Sequence, residues 1–393
     1  MLQFIRIFIN NQAICIMLKA YKYRLYPNQA QRMLIEQHFG CTRFVYNWAL
    51  ALQNRYYKLF GKGLSRTQIQ SQLVKKKKTD KFIWLNDVNS QSLLNALLNV
   101  HTAYTNFFKG RTKFPRFKSK KIAQRSYQCP QHCTVDFDKN IINLPKIKGI
   151  KAVFSRQFIG KIKTVTISKT ATNKYYASIL VDTGDSDNIP TATTIEPNLT
   201  LGIDLGLSHL LILSDGTKID NPKHLAKSSN KLTIQQKIFA RKDKISNNYQ
   251  KQRLTVARIH EKVKNQRLDL HHQITHKLIC ENQATSFCIE DLSVKNMVKN
   301  RKLAKSISDV AWGQFINLFT YKASWYGKNI LKVNRFFASS KICSHCSHKL
   351  DKLPLSFRSW TCPNCQTRHD RDINASNNIR SQALADVAGL ATV

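Results

Sequence analysis

Four cysteines stand in two pairs whose spacing is typical of a metal-binding module. The pairs are Cys343-x2-Cys346 and Cys362-x2-Cys365, with fifteen residues between them. Each Cys-x-x-Cys pair can give two thiolates to one tetrahedral Zn²⁺ ion. Four thiolates leave no open coordination position, so the pattern predicts one structural zinc ion that stabilises a module too small for a hydrophobic core of its own.

Isolated acids form the second set of candidates in this acid-poor chain. Asp204 alternates with apolar residues in a predicted strand, and Glu290 ends another apolar strand with Asp291 beside it. Asp370 and Asp372 stand at the start of the final predicted helix. A carboxylate on a central strand is costly unless it is paired or binds a metal. We therefore interpret Asp204 and Glu290 as functional, whereas Asp370 alone is more typical of a helix cap.

Carboxylates from three separate segments can perform one particular chemistry together. They can hold two Mg²⁺ ions roughly 3.5–4 Å apart, and Mg²⁺ prefers oxygen ligands. Such a pair of ions activates a water molecule and stabilises the leaving 3′ oxygen in phosphodiester hydrolysis. The signatures of P-loop ATPases and of Gly-x-Ser-x-Gly hydrolases are absent from the sequence.

The net charge indicates the class of partner. The chain of 393 residues contains 63 Lys and Arg but only 23 Asp and Glu, which gives a formal charge of +40. Apolar residues (42%) and aromatic residues (10%) are sufficient for packed cores, so a folded body carries this charge and repels itself unless a polyanion neutralises it. We expect nucleic acid as the partner and no membrane partner, since no run of 18 apolar residues is present to span a bilayer.

The basic residues are concentrated in a few segments. Residues 223–267 contain thirteen Lys or Arg and two acids, and residues 75–78 are four consecutive lysines. Between residues 109 and 121, seven Lys or Arg alternate with Phe114 and Phe117. Phosphates would contact the charges, and unpaired bases would stack on these rings if the rings are exposed.

The N-terminal half must combine helices with a small β domain. Residues 19–26 alternate as a short strand, and residues 28–60 have helical spacing, with a further helix capped by Ser90. Short segments rich in β-branched residues follow between 127 and 182, for which a small β-barrel is the natural arrangement. Residues 183–198 are polar, contain two prolines and are predicted to be a linker.

The C-terminal half must hold the acids on a sheet. Residues 199–205 alternate so that one face is packed and the other, which carries Asp204, is open. A second strand is predicted at 209–213, helices from about 230 to 282, and another strand at 286–289. This order indicates an α/β or α+β sheet domain.

The start of the chain bears on its location. Residues 1–16 are apolar but interrupted by polar side chains, with neither the basic start nor the cleavage site of a secretory signal. We expect them to be a non-native leader, with Met17 as the natural start. Ten cysteines in a large basic chain without such a signal indicate reduced thiols in the cytoplasm, close to the nucleoid of a bacterial-type cell.

At these residues the chain resembles the TnpB (OrfB) family of insertion-sequence proteins, which is related to type V CRISPR effectors. The resemblance covers about residues 17–380 and rests on the order of several motifs. These are LKAYKYRLYPNQAQ from Leu18, GIDLGLSHL from Gly202, IEDLSVKNM from Ile289, SSKICSHCSHKL and WTCPNC around the cysteines, and HDRDINASNNI from His369.

The resemblance implies an α+β multidomain architecture. Residues 17–198 would be an N-terminal, wedge-like β-barrel with a helical recognition lobe inserted at about 28–109. Residues 199–340 and 367–393 would form an RNase H-like (RuvC) nuclease domain, interrupted by a zinc-ribbon module at 341–366 that binds target DNA. The same motifs assign the carboxylates that bind catalytic Mg²⁺, or Mn²⁺ in its place, to Asp204, Glu290 and Asp372.

The implied activity is RNA-guided cleavage of double-stranded DNA, with a guide RNA from the right end of the transposon and no small-molecule substrate. A short motif beside the target would start recognition, and base pairing would then read the sequence.

Two other functions use the same features. A DNA-binding regulator of transposition would need no cleavage, although it would gain nothing from clustered acids. A transposase could use the same two-metal geometry for strand transfer. Cut ends would indicate a nuclease, and joined strands a transferase.

Overall fold

The chain folds into two compact units, Leu2–Asp187 and Asn188–Val393. The computed structural model describes residues 5–9 and 12–16 by their backbone alone, and otherwise residues 18–121, 125–184, 190, 192–354 and 356–389. The boundary between the units falls inside the segment 183–198. The start predicted at Met17 lies outside the described residues. No helix in the described part of the chain is both long and apolar enough to cross a bilayer.

An antiparallel sheet of seven strands forms the centre of the first unit. A separate hairpin of β1 (Ile5–Ile9) and β2 (Gln12–Ile16) precedes it. The strands of the seven-stranded sheet, in chain order, are β3 (Leu18–Tyr26), β4 (Arg125–Cys129), β5 (Thr134–Asp136), β6 (Ile141–Leu144), β7 (Ile147–Val153), β8 (Lys161–Lys169) and β9 (Tyr175–Asp182). They are arranged in the order β4-β8-β9-β3-β7-β6-β5. The short β segments predicted between 127 and 182 are present as six strands, β4 to β9, the first of which begins at Arg125.

The sheet is open, so the predicted β-barrel is wrong. Among the described residues, β4 and β5 are the two edges and do not pair with each other. A helix buries the apolar surface that barrel closure would otherwise have to cover. Ile35 and Phe39 of that helix lie in the same core cluster as the strand residues, and Phe39 packs edge-on against Tyr127 of β4 with ring centroids 5.5 Å apart.

Helices fill the chain between β3 and β4. They are α1 (Gln29–Phe60), α2 (Arg66–Lys77), a 3-10 helix (Asp80–Asn86) and α3 (Ser90–Phe108). Asn28 begins α1 with a capping box to Gln31, and Gly61 ends it in the left-handed conformation at φ 65°. The cap of α3 is Asn89, one residue before the predicted Ser90. These helices share a core of their own.

A mixed sheet of five strands forms the centre of the second unit. Its strands are β10 (Thr200–Asp204), β11 (His209–Leu213), β12 (Lys218–Asp220), β13 (Ser286–Glu290) and β14 (Asn329–Val333). The order is β12-β11-β10-β13-β14, in which β13 is parallel to both of its neighbours and the other pairs are antiparallel.

Helices cover both faces of this sheet. They are α4 (His224–Ala240), α5 (Asn247–His276) with a π-helical turn (Lys277–Glu281), α6 (Val294–Met297), α7 (Ala304–Val310), α8 (Trp312–Trp325) and α9 (Arg371–Val387). Helices α5 and α8 pack on the face of Ile203 and Phe287. Helix α9 packs on the opposite face, against Cys288 and Val333. Before α9, a short antiparallel pair joins β15 (Ser359–Thr361) to β16 (Arg368–Asp370).

The face of β10 that was predicted to be open is covered by α9. A Cβ atom at Gly202 would lie 1.9 Å from the carbonyl oxygen of Ser376 and 3.0 Å from the backbone nitrogen of Arg380, both in α9. Only glycine therefore permits this close approach of helix and strand. Gly202 therefore marks the contact of the strand with a helix.

We predict that Gly202→Ala destabilises the second unit, because α9 must move away from β10. Overpacking of this kind costs about 1–3 kcal/mol, which denaturant unfolding will measure. Gly313→Ala in α8 is the matched control, since a Cβ atom there meets nothing within 4 Å. Equal unfolding free energies for the two variants would contradict the proposed constraint.

Candidate active site and metal centre

Two of the predicted acids lie side by side at one edge of the five-stranded sheet. Asp204 is the last residue of β10, and Glu290 is the last residue of β13. The strands are parallel neighbours with Ile203 opposite Ile289, so each acid comes directly after that pair. Parallel strands thus bring together two carboxylates that are 86 positions apart in sequence.

The third acid reaches this edge on a helix. Asp372 lies in the first turn of α9, whose backbone contacts β10 at Gly202. Burial, together with the neighbouring carboxylates of Glu290 and Asp372, raises the pKa of Asp204 to about 7. Glu290 and Asp372 are therefore close enough to Asp204 to oppose the ionisation of Asp204.

The contacts of Asp370 and Asp372 give the two acids different roles. The Oδ1 atom of Asp370 accepts hydrogen bonds from the backbone N–H groups of Asp372 (3.0 Å) and Ile373 (3.1 Å), so Asp370 caps α9. Its Oδ2 atom pairs with Lys218 Nζ at 2.6 Å. Burial acts to raise the pKa of Asp370, but the lysine and the backbone donors outweigh it and the pKa is lowered. Asp370 thus has a complete structural role, as a helix cap.

Asp372 and Glu290 have different partners. Arg358 is exposed and approaches Asp372 to 3.6 Å. Glu290 accepts a hydrogen bond of 2.6 Å from the hydroxyl of Ser339. Asp291, next to Glu290, is paired with Arg335 instead. Sequence reasoning missed Ser339, because a serine four residues before a cysteine pair has no spacing that marks it.

The donor set of the three acids suits Mg²⁺. All of its atoms are carboxylate oxygens, which are hard ligands, and their mutual repulsion is removed when a cation binds between them. In the described parts of the chain, the four cysteines are the only metal-ligating group whose donor atoms all lie within 4.8 Å of one another. The three carboxylates are therefore more widely spaced than the ligands of a single closed site.

The structure brings all four predicted cysteines together. The Sγ atoms of Cys343 and Cys365 are 3.6 Å apart, and so are those of Cys346 and Cys362. Tetrahedral zinc with bonds of about 2.3 Å separates its sulfur ligands by about 3.8 Å, whereas a disulfide needs about 2.05 Å. Hydrogen bonding with the hydroxyl and the backbone N–H of Thr367 lowers the pKa of Cys365 to about 5, which favours the thiolate that zinc binds.

The two cysteine pairs have the same backbone geometry. The carbonyl of Cys343 accepts a hydrogen bond from the N–H of Ser347 (2.9 Å), and its own N–H donates to His348 O (2.8 Å). Cys362 repeats both bonds at 3.0 and 2.9 Å. Ser347 and its counterpart Gln366 both have positive φ, at 61° and 55°. Each pair is thus held in a tight turn that directs two thiolates toward one point.

One histidine side chain from outside the first cysteine pair contacts the cysteine group. His345 and His348, beside the first pair, are exposed. His369 is buried, and its Nε2 atom lies 3.0 Å from Cys343 Sγ. Its ring packs against Trp360 across the β15–β16 pair, with centroids 4.8 Å apart. Side chains alternate between the two faces of β16, and this alternation places His369 beside Cys343. The cysteine spacing alone does not predict this contact.

The segment 109–121 presents basic and aromatic side chains to solvent. Phe117 is 59% exposed, and Phe108 at the end of α3 is 77% exposed. Asn47 holds the segment in place, because its side chain both donates to the carbonyl oxygen of Lys118 (2.9 Å) and accepts from its N–H (2.8 Å). Phe114 is also exposed on one side while it packs edge-on against Tyr104. The rings predicted as stacking candidates are therefore accessible.

Comparison with protein families gives three matches along the chain. The OrfB model, described as "Probable transposase", covers residues 178–301, and a Cas12f1-like TNB domain covers residues 312–379. A helix-turn-helix model matches residues 17–62, although here these residues form β3 and the single long helix α1. The TNB match contains the whole cysteine module.

Two curated relatives match over nearly their whole length. A Streptomyces pristinaespiralis protein named "Putative RNA-guided DNA endonuclease" is 37% identical over 369 residues, which is 93% of this chain and 90% of that protein. The protein of Escherichia coli (strain K12) named "Putative RNA-guided DNA endonuclease InsQ" is 32% identical over 387 residues, 94% of each.

Solved structures share the mixed α+β fold. A Cas12f1 chain from a cryo-EM complex with sgRNA and target DNA aligns with a TM-score of 0.54 at 12% identity, over 93% of this chain and 99% of that one. A chain of the mini-RNA-guided endonuclease CRISPR-Cas phi3 aligns at 0.51 and 10%, over 94% and 93%. With the sequence relatives and the family matches, these findings show that the chain belongs to the TnpB (OrfB) family of transposon-encoded proteins.

Proposed function

We propose that this protein is a transposon-encoded, RNA-guided DNA endonuclease whose active site is formed by Asp204, Glu290 and Asp372. The observation that carries the proposal is the convergence of these acids from β10, β13 and α9 at one sheet edge, in a chain with a formal charge of +40. The names of the curated relatives support the same activity.

The three carboxylates would hold the catalytic Mg²⁺ ions. When bound, these ions supply water activation and stabilisation of the leaving 3′ oxygen. The protein itself contributes the positions of the three carboxylates. Asp204 and Glu290 are fixed by the sheet, and the Ser339 hydroxyl orients Glu290. Asp370 fixes the start of α9 through its cap and its pair with Lys218. Burial and the two neighbouring carboxylates raise the pKa of Asp204, and a bound cation would favour its ionised form.

The four cysteines would hold one structural Zn²⁺ ion. Their sulfur spacing and the matching backbone geometry of the two cysteine turns support this assignment. Zinc would then join the two turns that carry the cysteine pairs, since few apolar side chains are buried around them. We assign this region, 341–366, to target-DNA binding, which the match to a TNB domain supports.

Guide RNA from the transposon right end and double-stranded target DNA are the proposed partners. The segment 109–121 offers exposed rings for unpaired bases and Lys or Arg side chains for phosphates. The helices α4 and α5 carry the other strongly basic stretch, within 223–267. A cytoplasmic location beside the nucleoid belongs to the same proposal.

A strand-transfer transposase is the second candidate, because the matching family model is described as a probable transposase. Hydrolysis and transfer can use the same carboxylates. The two activities differ in product, since a nuclease leaves free ends and a transferase joins the 3′ end to a new strand. Gel analysis of end-labelled DNA separates them directly.

We predict that Asp204→Ala, Glu290→Ala and Asp372→Asn each reduce Mg²⁺-dependent cleavage by at least about a hundredfold, since each removes a charge that holds the ions in the transition state. DNA binding, measured by gel shift, should stay intact. Asp370→Asn is the matched control, because asparagine still caps a helix. Normal cleavage by Asp372→Asn and loss by Asp370→Asn would show that the third acid is Asp370.

We predict about one zinc ion per chain and a loss of zinc in Cys362→Ser, as measured by elemental analysis of the purified protein. Thermal stability should fall together with zinc content, because metal binding contributes directly to the folding free energy of such a module. Cys133→Ser is the control, a half-buried cysteine in the other unit. Zinc-free wild-type protein of full stability would exclude a structural zinc ion.

We predict that the protein alone cuts no specific DNA site and that the right-end RNA creates such cutting. A change in the guide segment alone should move the cut to the newly complementary site. RNA affinity should fall steeply with salt, by roughly 0.7–0.9 of a log unit per log unit of salt for each phosphate contact. Site-specific cutting without RNA, unchanged by new guides, would leave a DNA-reading nuclease or transposase.

A further inference from the structure

We propose that the cysteine module has a second role besides nucleic-acid binding, which is to position the catalytic carboxylates through Asn374, Asn378 and Ser339. This inference rests on the proposed function, because it concerns the same acids. The carrying observation is an unbroken series of buried hydrogen bonds from the first cysteine pair to α9 and to Glu290. All three side chains are positioning residues and touch no reacting atom.

The chain path places the module between two of the acids. The chain enters it after β14 and passes Ser339, four residues before Cys343. It leaves through β16, whose last residue is Asp370, the cap of α9. Asp372 is therefore seven residues beyond Cys365. Movement of either cysteine turn is transmitted within a few residues to the neighbourhood of the acids.

Asn374 ties the first cysteine turn to α9. Its side chain is 2% exposed, and its Oδ1 atom accepts from the N–H of Ser344 at 2.9 Å. Its Nδ2 atom donates to the carbonyl oxygen of Ile342 at 2.7 Å. Ile342 and Ser344 flank the zinc ligand Cys343, so one amide of α9 holds both peptide groups around it.

Asn378 continues the connection one helical turn later. It is 5% exposed and donates to the same Ile342 carbonyl at 2.6 Å and to the carbonyl of Ser339 at 2.8 Å. Residues at i and i+4 lie on the same helix face, so Asn374 and Asn378 together present one polar strip of α9 to the module. Buried amides of this kind lose their hydrogen-bond partners if the turn moves, which is unfavourable because no water replaces those partners.

Ser339 completes the connection to the active site. Its side chain is 7% exposed, and its hydroxyl donates to Glu290 Oε1 at 2.6 Å. Its backbone carbonyl is the group that Asn378 binds. Glu290 is therefore linked through Ser339 to α9, the helix that carries Asp372. On the other side, His369 contacts Cys343 and lies one residue before the cap of α9.

A bound zinc ion would therefore fix the orientation of two carboxylates. With zinc, the first turn is rigid and its carbonyls are in place for the α9 amides. Without zinc, the turn is free to move, and Glu290 loses the donor that orients it. Mutation of residues that hydrogen-bond to metal ligands typically lowers metal affinity or activity by 10–100-fold. A module that only bound DNA would not affect the catalytic metal in this way.

The test compares Ser339→Ala and Asn378→Ala with Asn377→Ala, a half-buried neighbour on α9 that makes none of these hydrogen bonds. Three quantities are measured on the protein–guide RNA complex: the zinc release rate in a chelator with a chromophore, the Mn²⁺ dissociation constant by calorimetry, and the cleavage rate. DNA affinity by gel shift and thermal unfolding complete the set.

For Ser339→Ala we expect one zinc per chain, DNA affinity within about twofold of wild type, and Mn²⁺ affinity and cleavage lowered by about 10–100-fold. Asn378→Ala should show the same losses together with faster zinc release, and Asn377→Ala should match wild type. Excess Mn²⁺ should partly rescue cleavage by Ser339→Ala, which a general folding defect would not allow.

Wild-type Mn²⁺ affinity and cleavage in Ser339→Ala would overturn the positioning role, and this variant decides the matter if Asn378→Ala does not fold. Failure of the proposed function has a different signature. In that case the wild-type complex does not cleave at all, whereas zinc release and Mn²⁺ binding still report whether the module and the acids are coupled.

Discussion

Helix α9 lies so close to strand β10 that residue 202 has no room for a Cβ atom. This single contact decides where the first turn of the helix stands, and so whether Asp372 reaches the sheet edge that carries Asp204 and Glu290. The parallel pairing of β10 and β13 aligns the other two acids, but it acts only within the sheet. The segment before the helix must then begin at β14 and return to the same edge, and the cysteine module occupies that return path.

The acids of the chain are used in two different ways. Most of those with a described partner sit beside cations: Glu36 contacts both Arg125 and Lys169, Asp182 contacts Lys163, and Asp370 contacts Lys218. At the sheet edge, by contrast, burial and the neighbouring carboxylates of Glu290 and Asp372 raise the pKa of Asp204. In a chain with 63 basic residues, a cluster of three acids in which, among the described residues, only the exposed Arg358 is paired to one of them must be maintained by the fold. The same excess of unmatched cations elsewhere favours nucleic-acid phosphates as neutralising partners.

Local patterns predicted the parts of this structure that local residues determine. The cysteine spacing, the strands that carry Asp204 and Glu290, and the start of α1 at Asn28 all depend on neighbours in sequence, and they agree with the structure. Asp204 was predicted within its strand and is instead the last residue of β10. The predicted barrel was wrong because closure depends on whether two distant edge strands meet, which no local pattern encodes. The prediction that one face of β10 is open was wrong for the same reason, because a helix about 170 residues later in the sequence covers that face. Ser339, Asn374 and Asn378 are ordinary polar residues in the sequence, and only folding gives them buried partners.

The position of the third acid, Asp372, at the N-terminal end of α9 has an electrostatic consequence. The N-terminus of an α-helix carries roughly half a positive charge, from the aligned dipoles of its peptide groups. Asp372 lies in the first turn of α9, which spans seventeen residues, so that partial charge arrives at the sheet edge together with the carboxylate. It offsets part of the repulsion among the three acids before any cation is present. The protein can therefore fold with its acids already gathered, and the ions can bind to a site that exists in advance.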